Sequence, residues 1–172
     1  FQGGGQGGSV HNDGKSGVLY PTSAANTSVE MFENRAPILV ICKEFVIDSA
    51  GAGYKRGGLG QIVNIRKLYD DKIVCKAGIY PTGIMSPTNG LFGGKPSLVA
   101  KAWFINRNNK KIDLGTGGII DLISPKEVAC LRLAGGSGYG NPRKRKIKDI
   151  KNDLKEEYVS LTQAIKVYGY SK

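Results

Sequence analysis

DSAGAGYKRGGLGQ, residues 48–61, holds five glycines and the cation pair Lys55-Arg56 between two apolar stretches. Such a segment is either a phosphate cradle or a tight structural connection, and the two belong to different folds. A P-loop needs G-x-x-x-x-G-K-[ST] opening a helix, so that backbone N–H groups and a lysine converge on the phosphates. Here Lys55-Arg56 precedes Gly57-Gly58, and Leu59-Gly60-Gln61 leads into a run that reads as a strand. A dinucleotide fingerprint fails as well, because Gly51-Ala52-Gly53 is followed by Tyr54-Lys55-Arg56-Gly57 and by no amphipathic helix. The spacing therefore predicts a structural turn in which glycine supplies φ > 0.

Working outward, ILVICKEFVID (residues 38–48) is rich in β-branched residues and predicts a strand. QIVNIRKLY (61–69) and KIVCKAGIY (72–80) flank Asp70-Asp71 and predict a hairpin. The stretch 81–97, with three prolines and four glycines, is a long loop, and its Gly93-Gly94-Lys95-Pro96 lacks Walker spacing and the hydroxyl residue. LVAKAWFIN (98–106) and EVACLRLAG (127–135) are further strands, with a turn at Asn108-Asn109. Before the first strand, Thr27 and Glu30 have capping-box spacing for a short helix that Pro37 closes. After Pro142, Ile147, Ile150, Leu154 and Tyr158 recur at helical spacing, Ser160 with Gln163 forms a second capping box, and Gly169 can close that helix. The expected class is mainly β (α+β), an antiparallel β domain with glycine-rich turns and C-terminal amphipathic helices. Its parts are a glycine-rich opening segment with a short helix (1–37), a β domain (38–140) and a helical segment (141–172).

At 172 residues the chain is the size of one domain. Its 25 glycines are about twice the usual share but cluster without a period, which excludes collagen-like and solenoid folds. No apolar run approaches the ~20 residues of a membrane span, and no signal peptide is visible. The chain opens on Phe1 without a methionine, so it is expected to lie within a longer polypeptide. Cys42, Cys75 and Cys130 are far apart and each sits in an apolar segment. That argues for buried thiols in a reducing cytoplasm and against a zinc site or disulfide framework. The net charge of +11 raises a nucleic-acid or protein-binding module as one reading. Its densest basic run, RKRKIKDIKNDLKEE (143–157), lacks interleaved aromatics and reads first as a solvated helix face.

A set of motifs in fixed order carries a resemblance. Asp13-Gly14 is followed by Ala25-Asn26-Thr27, Val29-Glu30, Glu33 and Pro37, then DSAGAGYKRGGLG, a proline- and glycine-rich loop, GGSGYGNP and a helix ending VYG. Together these resemble the C-terminal portion of the B-type subunit of the hydantoinase, 5-oxoprolinase and acetone carboxylase family. The resemblance implies an ATP-dependent cyclic-amide hydrolase, or a ketone carboxylase, in which an A-type partner holds ATP and the B-type chain completes the reaction. ATP and a divalent metal are then expected in the complete enzyme, with neither bound by this segment. It further implies that Gly51, Gly53, Gly57, Gly58 and Gly60 shape a signature turn. Ser137 interrupts the last glycine run, and the stretch after Pro142 is more basic than the family pattern.

Candidates for lining a cleft are Asp13, Asn26, Glu30, Glu33 and Arg56, with no catalytic residue assigned. Glu30 and Glu33 lie three apart and would share a helix face, as base and orienter or as cap and surface charge. Asn26, Glu33 and Arg35 form a polar cluster. Arg56 would clamp an anion or anchor the turn on backbone carbonyls. His11 and Asp13 are the one His-x-Asp pair, in a glycine-rich loop where an unliganded histidine is the ordinary case, so no metal site is assigned.

Overall fold

The computed structural model describes residues 2–19 and 27–171. Helix α1 is Val29–Glu33, and seven strands follow: β1 Ile38–Phe45, β2 Gln61–Lys67, β3 Cys75–Ile79, β4 Lys101–Ile105, β5 Lys111–Asp113, β6 Gly118–Leu122 and β7 Val128–Arg132. A 3₁₀ turn at Pro142–Lys144 leads to α2, Ile147–Lys155, and to α3, Leu161–Gln163, which continues as a π turn over Ala164–Tyr168. The strands form a five-stranded sheet ordered β1-β2-β7-β4-β5 and a two-stranded sheet of β3 with β6, antiparallel throughout. This is the expected mainly β, α+β class.

Period-two alternation sets the core. Val63 pairs with Leu131 and Ile65 with Ala129, while Ala102 and Phe104 of β4 continue the same rows. That face meets Ile79 and Ala77 of β3 and Leu122 and Ile120 of β6, so the small sheet lies over the large one. A second cluster (Ala52, Ile150, Val159, Ala164 and Tyr168) packs α2 and the π turn against the glycine-rich segment 51–60.

Three local expectations are corrected. The N-cap of α1 is Ser28, whose Oγ accepts the Met31 N–H at 3.2 Å, and not Thr27. Glu30 thereby falls at the second helical position, one short of closing a capping box. The 61–80 region is no hairpin, since β2 pairs with β1 and β7 while β3 pairs with β6. The fully buried Lys67 ammonium ends β2 by donating to the Asp71 carbonyl and carboxylate, each at 2.6 Å, which turns the chain away from its own strand. Strands β5 and β6 were not foreseen. By contrast Ser160 does cap its helix through Gln163 N–H, Gly169 closes it at φ 75°, and Asn109 takes φ 58° in the β4–β5 turn.

Candidate functional site

The glycine clusters of the sequence come together as one array of extended chains. Residues 134–140 run through its centre and bond to three neighbours. Gly5 and Gly8 donate to the carbonyls of Ala134 (3.0 Å) and Ser137 (2.8 Å). Gly51 donates to Gly136 and Gly136 to Gly58, each at 2.8 Å. On a third side Leu91 donates to Gly138 (3.1 Å), and Gly138 to Lys95 (2.9 Å). A β-strand has two neighbours in one plane; three neighbours require a different packing, with backbones in direct contact.

That packing is what the glycines are for. None of Gly51, Gly53, Gly57, Gly58 and Gly60 has positive φ, so the expected left-handed turn is corrected. A Cβ on Gly57 would instead collide with the carbonyl oxygen of Gly136, and one on Gly58 with that of Lys15. Ser137 is accommodated within the run because it faces Gly7, where even a built Cβ would sit 3.4 Å from its Oγ. The array also answers the phosphate question. The N–H groups of Gly51, Gly57, Gly58 and Gly60 go to Gly136 O, Gly51 O, Gln6 O and Ser49 Oγ, at 2.7–3.0 Å, so these four amides are engaged within the array.

Against the array lies a buried ion network. Arg145 grips Asp13 with two parallel bonds (Nη1–Oδ1 2.8 Å, Nη2–Oδ2 2.7 Å) and donates to Asp153 Oδ2 through Nε at 2.9 Å. Arg56 donates to Asp153 Oδ1 through Nε at 3.3 Å, and its own backbone N–H donates to Asp13 Oδ1 at 2.8 Å. Arg56, Arg145 and Asp153 are 5%, 5% and 3% exposed. The guanidiniums of Arg56 and Arg145 lie over the rings of Tyr158 and Tyr168, at 5.0 and 6.0 Å. Two cations thus face two anions, the condition for burying charge at all.

Burial by itself would raise the Asp13 carboxyl, but the Arg145 bonds and the Arg56 N–H outweigh it and hold the group below its ordinary value. For the deeper Asp153 burial wins and raises it, against both guanidiniums. Tyr168 is pushed up to about 12, chiefly by burial. Asp13 Oδ1 accepts from Arg56 N–H and Arg145 Nη1, and Oδ2 from Arg145 Nη2. His11 is exposed. Among the described residues no group of three or more His, Cys, Asp or Glu is placed to hold a metal ion, so no reaction step is drawn through one.

The structure brings Asp13 and Arg56 together and places the other candidates elsewhere. Arg56 takes the anchoring role, with Nη1 donating to the Gly57 carbonyl. Glu33 accepts the Val40 N–H at 2.8 Å, fastening α1 to β1, and Glu30 is exposed. Asn26 lies outside the described residues. Arg145 and Asp153 were missed by sequence reasoning, although Asp153 shares the helix face of Ile150 and carries the signal: a carboxylate on an apolar stripe needs a cation. The thiols are free, and burial raises both Cys42 and Cys130, the latter to about 11, which disfavours thiolate chemistry. An apolar groove of about 930 Å³ opens between the two sheets, lined by Val63, Ile65, Ile79, Leu122 and Leu131 among others, with no carboxylate or histidine in its walls.

The sequence profile of the Hydantoinase B/oxoprolinase family matches residues 1–142, a range that contains the array and its glycine signature. The chain belongs to this family. Among its relatives are an uncharacterised protein of Methanocaldococcus jannaschii, 34% identical over 83% of this chain and 24% of the relative. The beta subunit of the caprolactamase of Pseudomonas jessenii is 28% identical over 82% of this chain and 24% of its own. The 5-oxoprolinase 1 of Arabidopsis thaliana is 29% identical over 81% of this chain and 11% of its own. The fold recurs in the crystal structure of that ATP-dependent caprolactamase (TM-score 0.80, 23% identity, 96% of this chain and 29% of the other). It recurs as well in nucleotide-free acetone carboxylase (TM-score 0.77, 19% identity, 96% and 26%). The chain thus spans about a quarter or less of these curated relatives. No helix among the described residues is long and apolar enough to cross a membrane.

Proposed function

We propose that this chain is a segment of the B-type subunit of an ATP-dependent cyclic-amide hydrolase of the hydantoinase and 5-oxoprolinase kind. The observation that carries the reading is the family match over residues 1–142, whose glycine signature has a physical requirement behind it in the backbone-packed array. Two relatives are named for lactam chemistry, a caprolactamase subunit and a 5-oxoprolinase, and they favour amide hydrolysis over ketone carboxylation. Within the subunit this segment is a scaffold: Arg56, Arg145, Asp13 and Asp153 satisfy one another, and the amides of Gly51, Gly57, Gly58 and Gly60 bond within the array. An A-type subunit holds ATP, the remaining B-type chain supplies the divalent metal and the reacting groups, and the assembly is a cytoplasmic hetero-oligomer. The deciding assay joins the complete B-type chain to its A-type partner and follows ATP hydrolysis. Stimulation by 5-oxoproline, hydantoin or a lactam is expected. Bicarbonate-dependent consumption of a ketone would move the assignment to a carboxylase, and no stimulation by any of these would overturn it.

A further inference from the structure

We propose that a second, basic cleft binds a phosphate monoester. This cleft, of about 380 Å³, lies between the loop 90–96, the Pro142–Lys144 turn and the π turn Ala164–Tyr168. Lys95, Arg143 and Lys166 enter it from those three segments, and no acidic residue lines it. Among the described residues none of these three cations is in an ion pair. Three like charges around one cleft repel one another, and a dianion among them removes that cost.

The segments that carry these cations are fixed by hydrogen bonds. Arg143 donates through Nη2 to the Lys166 carbonyl at 3.0 Å, and its side chain packs against Gly169. Lys95 stands on a backbone fixed in both directions, its N–H donating to Ala52 O (2.7 Å) and its carbonyl accepting from Gly138 N–H (2.9 Å). Asn141, which lines the cleft, accepts the Arg143 N–H at Oδ1 and so keeps its amide NH₂ as a further donor. The cleft therefore offers charged and neutral donors with its one side-chain acceptor engaged, the complement of a phosphate group. Pro142 and Val167 add apolar wall for the organic part of an ester. The inference does not rest on the hydrolase reading, since Arg143 and Lys166 lie beyond the family match.

The test is calorimetric titration of this chain with glycerol phosphate, inorganic phosphate and a short polyglutamate peptide. Saturable one-to-one binding of glycerol phosphate is expected, weakened at least about tenfold in Lys95→Gln/Lys166→Gln, whose side chains hold no structural bond. The double variant Lys148→Gln/Lys151→Gln on α2 should bind as the wild type does. Unchanged thermal melting of both variants keeps folding out of the comparison. No saturable binding, equal loss in the α2 variant, or full binding by Lys95→Gln/Lys166→Gln would each overturn the proposal. Inorganic phosphate binding tighter than the ester would reassign the cleft to the free ion, and tighter binding of the peptide would make it a protein contact.

Discussion

Replacing Gly57 or Gly58 by alanine drives a methyl group into a carbonyl oxygen across the array, so the chains must separate. Unlike a surface clash, this one has backbone on both sides, and a loss of about 3 kcal/mol or more is expected in urea unfolding. Gly115 offers a contrast: at φ 54° with no atom within 4 Å, its alanine variant meets only backbone strain and should lose about 1–2 kcal/mol. Gly118, in β6 with ordinary φ and open space, should gain about 0.5 kcal/mol as alanine. Equal midpoint shifts for the array variants and Gly115→Ala would refute the packing account. Spacing could identify these glycines as structural, but a one-dimensional pattern cannot separate φ > 0 from close approach, because the partner at 136 is some 80 positions away. The charged residues carry a pH signature. Asp13 titrates below its ordinary 3.8 in the fold, so its stabilisation is complete above that value and is lost as pH falls through the lower, folded value. Asp71, held down by its bond from Lys67, adds a term of the same sign, and Asp153, raised by burial, opposes both. Asp13→Asn should therefore flatten the loss of stability below pH 3.8; an unchanged slope would show that Asp13 is not gripped as described.

At the level of elements, α2 divides its apolar residues unequally. Ile150 is buried against Ala52, Val159, Ala164 and Tyr168, whereas Ile147 is 65% exposed and Leu154 only half-buried. Ile150→Ala should cost about 2–4 kcal/mol and Ile147→Ala no more than about 0.5 kcal/mol. The helical period located this helix correctly but gave four stripe positions equal weight, while Asp153 occupies the middle of the buried face. Asp153→Asn breaks a buried pair on both sides and should lose about 3–5 kcal/mol, a larger effect than removing Leu154. Strands β1 and β2 were legible from their β-branched residues, and β4 and β7 from apolar runs of aliphatic and aromatic residues. Strand β5 is three exposed residues and β6 begins on glycine, so each exists by virtue of its partner, β4 or β3. The assumed hairpin failed for a related reason: a buried lysine on Asp71 outweighs the turn preference of two aspartates.

For the whole molecule, the scaffold reading predicts that this chain alone turns over neither ATP nor hydantoin with Mg²⁺ or Mn²⁺. Measurable turnover by the purified chain would place chemistry in residues that the structure shows engaged elsewhere. The molecule is also closed from both ends, since Arg145 holds Asp13 across 132 positions and Arg56 holds Asp153 across 97. Removing residues 2–18 should then loosen α2 as well as the array, visible as rapid amide exchange at Ile150 and Asp153; protection retained there would mean that the C-terminal helix stands on its own. The same closure has a kinetic side. Contacts of such long sequence separation carry a large loop-closure entropy before any stabilisation is gained, and they slow folding. During synthesis at roughly 5–20 residues per second, the opening glycine segment waits many seconds for Arg145 to leave the ribosome. In that interval its amides are solvated, and the array and its ion network close only once Arg145 and Asp153 have been made.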